Sequence, residues 1–319
     1  MLPFKDLFVS PRLTNISLAY KNTDYIAKRI LPVITVQQDA GQIVSYGADN
    51  LRIVNSLRAP GARAKVVSHT ISAADHFLLG DHVLEGEITK EEYDNAADPI
   101  DPEIDETENV TDRILVEAEK AVADALSSTS VMILNDTLSG TDQWDDPDST
   151  PVDDILAGKN AMKAACGMRP NTMIIAENAW EVLKVNNQIM ERNKYALQVT
   201  DEVLNGFIGR AFPGITNIIV GSAMFNDADE GDDTPDLQEI WDRVCILAYI
   251  APKPTLKSRS LGYTYQRATD RMQTRILRMD SGSRELFSSK KSVVQVTDKY
   301  DQVLVDTNCG YLIKDCIAA

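Results

Sequence analysis

The sequence contains few of the residues that most often carry catalysis or bind metals. Its 319 residues include only 4 cysteines and 3 histidines. No two cysteines form a C-x-x-C pair, and Cys245 lies in the apolar run VCILAYI, where a thiol behaves as a small hydrophobic side chain. We therefore predict that Cys166, Cys245, Cys309 and Cys316 are reduced packing residues and form no disulfide framework or zinc site.

Sequence motifs for metal, cofactor or nucleophile chemistry are absent as well. His69, His76 and His82 are near one another in a strand-like segment, but no cysteine is beside them. The acidic run DADEGDD at 227–233 lacks EF-hand spacing, and GSAMF lacks the second glycine of G-x-S-x-G. No G-x-G-x-x-G, P-loop or H-E-x-x-H pattern occurs. We predict no metal, no cofactor and no enzymatic activity.

Long apolar runs are also missing. No stretch approaches the ~20 apolar residues of a membrane-spanning helix. The first ten residues, MLPFKDLFVS, contain no apolar signal-peptide core followed by a small-residue cleavage site. These features predict a protein that is made in a cytoplasm and has no membrane partner.

The formal charge of −16 is unevenly distributed along the chain. Residues 1–74 carry nine basic and four acidic groups, whereas residues 85–154 carry three basic and twenty-two acidic groups. Most such charges are simply solvated, and the acidic excess argues against phosphate binding. A basic segment followed by an acidic one also suggests that complementary surfaces meet between copies of the chain.

The first third of the sequence contains segments without an evident core of their own. Residues 1–35 read as an extended arm with three prolines and no sustained apolar period. Residues 42–88 read as two β-rich limbs around the Pro-Gly turn in RAPGARA at 58–64. Because a two-stranded ribbon is marginally stable alone, we expect this one to lie against something else.

A long helix and a mixed layer should follow. Residues 91–108 form an acidic connector with two Asp-Pro steps, and we expect Thr107 or Asn109 to cap a helix over about 109–129. Its apolar residues recur at three- and four-residue spacing. Helices and strands alternate from 153 to 250, and the rest of the chain has strand-like alternation. The predicted class is α+β.

These segments, in this order, resemble the major capsid proteins of tailed bacteriophages, which share the Hong Kong ninety-seven fold. The resemblance spans nearly the whole chain. It is strongest at RPNTMIIAENAWEVLKVNNQI (169–189), at FPGITNIIVGSAMFN (212–226) and at EITKEEYDNAADPIDPEIDETENVTDRILVEAEKAVADAL (87–126). The last of these is similar to the acidic lead-in and long spine helix of that family. SLGYTYQ at 260–266 resembles the point where such chains leave the axial domain.

The resemblance implies four parts and a shell. An N-terminal arm would cover 1–40 and an extended β-hairpin loop, the E-loop, would cover 41–88. A peripheral domain would hold 89–152, with the spine helix at 109–129, and the return strands of 251–319. An axial α/β domain would cover 153–250. Members assemble as hexamers and pentamers into an icosahedral shell around double-stranded DNA, without sequence-specific binding, and use portal, scaffolding and sometimes decoration proteins.

We expect the ribbon of one copy to lie over the acidic helix region of the next copy. Such a contact, repeated around a symmetry axis, closes into a ring of subunits. The resemblance also implies that the subunits assemble in the cytoplasm of a host bacterium and become the capsid of the virion. The candidate interface residues are Arg52, Arg58, Arg63, Lys65, Asp101, Glu103, Asp105, Glu106 and Glu108. Two alternatives stay open: an encapsulin-like bacterial compartment with an enzyme cargo, and a soluble α/β enzyme whose site carries no recognisable motif.

Overall fold

The structure is a computed structural model of the whole chain. It describes residues 25–46, 53–61, 63–64, 66–67, 71–89, 92, 101–193, 214–228, 236–256, 258–269, 271–278 and 291–318. Residues 1–24 of the predicted arm lie outside these residues. The described part combines helices with two larger sheets and two small ones, as the predicted α+β class requires.

Helices are interspersed with strands along the described part of the chain. The helices are α1 (Ala27–Ile30), α2 (Pro102–Ser127), α3 (Pro151–Cys166), α4 (Glu177–Val185) and α5 (Asn187–Asn193). The strands are β1 (Val33–Val36), β2 (Ala40–Tyr46), β3 (Ile71–Leu78), β4 (Gly80–Thr89), β5 (Asn135–Thr137), β6 (Thr172–Ala176), β7 (Asn217–Gly221), β8 (Met224–Asn226), β9 (Leu237–Glu239), β10 (Val244–Ala248), β11 (Gly262–Arg267), β12 (Gln273–Arg278), β13 (Lys291–Leu304) and β14 (Gly310–Lys314).

The first sheet is built around the long strand β13. Strands β12 and β11 pair antiparallel with successive stretches of β13, and β1 pairs parallel with β11. Strand β4 pairs antiparallel with residues 291–300 of β13. At Tyr300 both β11 and β4 are partners, so these two strands lie on opposite edges of β13.

Helix α2 lies across one face of this first sheet. Val110 and Ile114 of the helix form a buried cluster with Ile88 of β4 and with Val294 and Val296 of β13. The helix begins seven residues before the predicted start at 109, because Asp101 is its N-cap and Pro102 its first residue. The Asp101 side chain accepts a hydrogen bond from the backbone N–H of Glu103 at 3.1 Å. This Asp-Pro step is thus a helix start, since proline fits the first turn of a helix.

The second sheet has the strand order β5-β14-β10-β6-β7. Its inner strands β6 and β10 are buried at every position, as expected for strands covered on both faces. Helix α3 packs on this sheet at Gly158, where an added Cβ would lie only 2.6 Å from the Tyr311 ring. Helix α3 ends at Gly167, which has the left-handed backbone typical of a C-cap (φ 74°).

Three strands pair with strands from other predicted parts of the chain. Strand β1, in the predicted arm, belongs to the first sheet, and so does β4, in the predicted E-loop. Strand β14 follows residue 250, yet it pairs with β10 in the second sheet. Its first four residues, Gly310–Ile313, are buried, so this strand adds to the buried centre of the second sheet.

Candidate assembly surfaces

A two-stranded hairpin, β2–β3, rises from the body as the predicted ribbon. Residues 40–46 pair antiparallel with 71–78, and the register shifts between Ile43 and Ser45. The pairing with β2 ends at Leu78, because β4 pairs with β13 instead. The ribbon is therefore shorter than the predicted span of 41–88, and its second limb continues into the first sheet.

The base of the hairpin is firmly attached to the body. Phe77 stacks on Tyr265 of β11, with ring centroids 4.6 Å apart. Gly41 allows this contact, since a Cβ at that position would approach the Phe77 ring to 2.7 Å. In the loop just before β2, Asp39 accepts from Arg267 at 2.8 Å and from Lys299 at 3.0 Å. These cations, Lys299 foremost, lower the pKa of the Asp39 carboxyl.

The distal part of the hairpin is exposed and apolar. All described residues from 53 to 67 are exposed. Ile53 is 101% exposed, Val66 95% and Leu57 85%, so these large side chains contact almost nothing in their own chain. Several large exposed apolar side chains on one segment are typical of an interaction surface.

The cations predicted at the hairpin tip are only partly described. Arg58 and Arg63 flank the turn at Gly61, which has a left-handed backbone (φ 83°), and both side chains are exposed. Neither forms an ion pair with another residue that the structure describes. Arg52 and Lys65 lie outside the described residues.

The predicted acidic residues all lie on the first two turns of α2 or at its cap. Asp101 and Asp105 are exposed, whereas Glu103, Glu106 and Glu108 are half-buried. Glu106 points at β4, because a Cβ at Gly86 would lie 2.0 Å from its carboxylate. The positive end of the helix dipole stabilises this concentration of carboxylates. The structure does not bring these residues together with Arg58 or Arg63 of the same chain.

One buried carboxylate, Glu119 of α2, was not predicted from the sequence. The helical pattern places it off the main apolar stripe, but its side chain is 1% exposed. It accepts hydrogen bonds from Trp241 and from the backbone N–H groups of Ile26 and Ala27. Burial raises the pKa of the Glu119 carboxyl, against the lowering effect of these three donors.

Features of an enzyme or metal site are not evident in the described residues. Within these ranges, no group of three or more His, Cys, Asp or Glu side chains could hold a metal ion. The groove beside the hairpin base, about 620 Å³, is lined by residues such as Gln42, Phe77 and Tyr265. Burial raises the pKa of Tyr265 to about 12, so it is a poor acid or base near neutral pH. None of the described helices is both long and apolar enough to span a bilayer.

Similarity to known proteins extends over almost the full length of the chain. The major capsid protein of Burkholderia phage BcepMu is 29% identical over 314 residues, which is 96% of this chain and 95% of that protein. No protein-family model matches the chain. Among solved structures, a phage-related protein from Bordetella bronchiseptica has a TM-score of 0.73 at 23% identity and covers 99% of this chain and 100% of its own.

A capsid structure shows the same arrangement of elements at much lower identity. The capsid protein of cyanophage P-SCSP1u aligns with 98% of this chain and 92% of its own at a TM-score of 0.58 and 10% identity. The chain has the phage major capsid fold. The predicted resemblance and fold class are therefore confirmed, and the hairpin β2–β3 and helix α2 are elements of a capsid fold.

Proposed function

We propose that this chain is the major capsid protein of a tailed phage and forms an icosahedral shell of hexamers and pentamers. The observation that carries this proposal is the end-to-end similarity to a phage major capsid protein, with 96% of the chain aligned. A shell role also explains the exposed apolar tip of the hairpin. The curated relatives are named major capsid proteins, so we infer that the chain has no catalytic role.

We further propose the division of the chain that the resemblance implies, with strands reassigned by their sheets. The first sheet and α2 form the peripheral domain, and the second sheet with α3 to α5 forms the axial domain. Strand β14 then belongs to the axial domain and β4 to the peripheral domain. The arm covers the residues before β1, and β2–β3 is the E-loop.

The hairpin tip would dock on the acidic start of α2 in a neighbouring copy. The 16 residues from Tyr46 to Gly61 can reach up to about 50 Å, far enough to leave the parent subunit. Arg58 and Arg63 would meet Asp101, Asp105 and the adjacent glutamates. Each exposed ion pair contributes only about 0.2–1 kcal/mol, so these charges set the rate and register of assembly more than its stability.

Charge reversal tests this contact. The double variant R58E/R63E should stay folded by far-UV circular dichroism but should fail to form regular shells in negative-stain micrographs and size-exclusion chromatography. The control K163E/K253E makes the same change in net charge at two exposed lysines outside the hairpin and should assemble normally. Assembly of the unchanged protein should also slow at high ionic strength. Normal shells from R58E/R63E would rule out the proposed contact.

The contents of purified particles distinguish the phage capsid from the two alternative functions. Nuclease-protected double-stranded DNA inside the particles supports the phage capsid, together with its proposed portal and scaffolding partners and assembly in a host cytoplasm. A small closed shell with protein cargo and no DNA would favour the encapsulin-like alternative. A monomer at every concentration, with measurable turnover of a small molecule, would favour an enzyme.

A further inference from the structure

Glu119 joins two parts of the molecule that are distant in sequence. Its Oε1 accepts a hydrogen bond from the indole Nε1 of Trp241 at 2.6 Å. Its Oε2 accepts from the backbone N–H groups of Ile26 at 3.0 Å and Ala27 at 2.6 Å. One oxygen therefore faces the second sheet and the other faces the segment that precedes β1.

The indole of Trp241 has a fixed position. Trp241 lies between β9 and β10, is 1% exposed and belongs to the hydrophobic cluster that contains β6 and β10 of the second sheet and also Ile26, Ile30 and Leu31. The ring packs directly on Gly221 of β7, where a Cβ would come within 2.5 Å of it. The position of the second sheet thus determines where the Nε1–H group points.

Residues 25–31, which we call the strap, are held on the body by side chains of other elements. Ile26, Ile30 and Leu31 are buried, and the Tyr25 hydroxyl is bonded to Asp112 of α2 at 2.8 Å. Lys28 lies 4.0 Å from the buried Asp298 of β13. The N–H groups of Ile26 and Ala27 come at the start of α1, where a helix offers no backbone acceptor. Glu119 supplies that acceptor.

These contacts make the two sides of Glu119 interdependent. A buried carboxylate is costly unless its lone pairs are occupied, and a donor that holds one carboxylate oxygen also fixes the orientation of the other. We propose that Glu119 couples the second sheet to the strap. The bond from Trp241 fixes the carboxylate in the position that accepts from the strap, so displacement of Trp241 loosens the start of the strap. This coupling is internal to a subunit and does not depend on the proposed shell function.

Hydrogen exchange on unassembled full-length subunits tests the coupling. The variant W241F removes the Nε1–H donor and part of the ring volume, and keeps an aromatic ring in place. Its matched control is W144F, since Trp144 is also 1% exposed and donates to a different carboxylate, Asp154, at 3.0 Å. Amides of the strap should exchange about tenfold faster in W241F than in the unchanged protein, as expected for the loss of one buried hydrogen bond. W144F should leave their exchange unchanged.

Equal exchange of the strap in W241F and W144F would overturn the proposal, because a general loss of stability would then explain both. A second test uses E119A, which should speed exchange of the strap at least as much as W241F does. In the double variant E119A/W241F the tryptophan change should add nothing further. Independent, additive effects would show that Trp241 and the strap are not connected through Glu119.

Discussion

Replacement of Gly221 by alanine is a sharp test of how tightly the region around Trp241 is packed. Gly221 ends β7 opposite Ala176 of β6, and its φ is not in the left-handed region. The backbone therefore accepts alanine without strain. A Cβ at this position, however, would lie 2.5 Å from Trp241 Cδ1 and 2.6 Å from Cγ. Carbon atoms do not approach so closely, so the indole or the strand must move.

Two opposing effects determine the outcome. A Gly→Ala change at an unstrained position stabilises a protein by about 0.4–1 kcal/mol, because the unfolded chain loses freedom. Overpacking of a filled core costs about 1–3 kcal/mol. The Trp241 ring is 1% exposed and held by Glu119, so it has little room to move. We therefore expect a net destabilisation of about 1–2 kcal/mol.

Urea denaturation followed by far-UV circular dichroism measures this difference, provided that the slope of the transition is unchanged. Gly80→Ala is the matched control, since Gly80 also lies in a strand, with its nearest contact an ordinary 3.5 Å to His82. It should be neutral or slightly stabilising. If G221A unfolds at the same urea concentration as G80A, the indole of Trp241 is not tightly confined and the reasoning is wrong.

Two further predictions concern the cap of α2 and the cysteines. D101A should destabilise the protein by about 0.5–2 kcal/mol in the same denaturation assay. D101N should recover most of the loss, because asparagine is also a good N-cap. Equal stability of D101A and the unchanged protein would contradict the role of this cap. The four thiols should not react with Ellman's reagent until urea unfolds the subunit, since all are buried and burial raises the pKa of Cys245, Cys309 and Cys316; rapid labelling in native buffer would refute this.

Local patterns predicted the elements well and their partners less well. The apolar spacing of α2 and the Pro-Gly turn of the hairpin are short-range signals, and both elements are found in the structure. The start of α2 was placed too late because the Asp-Pro step at 101–102 was read as part of a connector. Asp and Pro are common both in loops and at helix starts. In the structure, the hydrogen bond from Glu103 N–H to the Asp101 side chain identifies this step as a helix start.

Contacts between residues that are distant in the sequence could not be predicted from the spacing of apolar residues. Glu119 is buried because Trp241 and the strap reach it from 122 and 92–93 residues away, and helical spacing carries no information about such donors. The pairing of β14 with β10 was likewise invisible, because alternation identifies a strand but not its neighbour. The docking of Arg58 and Arg63 on the acidic residues of α2 stays a prediction, since it involves a second copy.

The position of β14 has a consequence for biosynthesis. This strand lies between β10 and β5, and β5 is encoded about 175 residues earlier. Once β10 has been synthesised and until β14 follows, one edge of β10 has no partner strand. Closure of that gap requires a contact of very high sequence separation, which folds slowly and leaves an aggregation-prone intermediate. The second sheet can therefore be completed only after residues 310–314 have emerged.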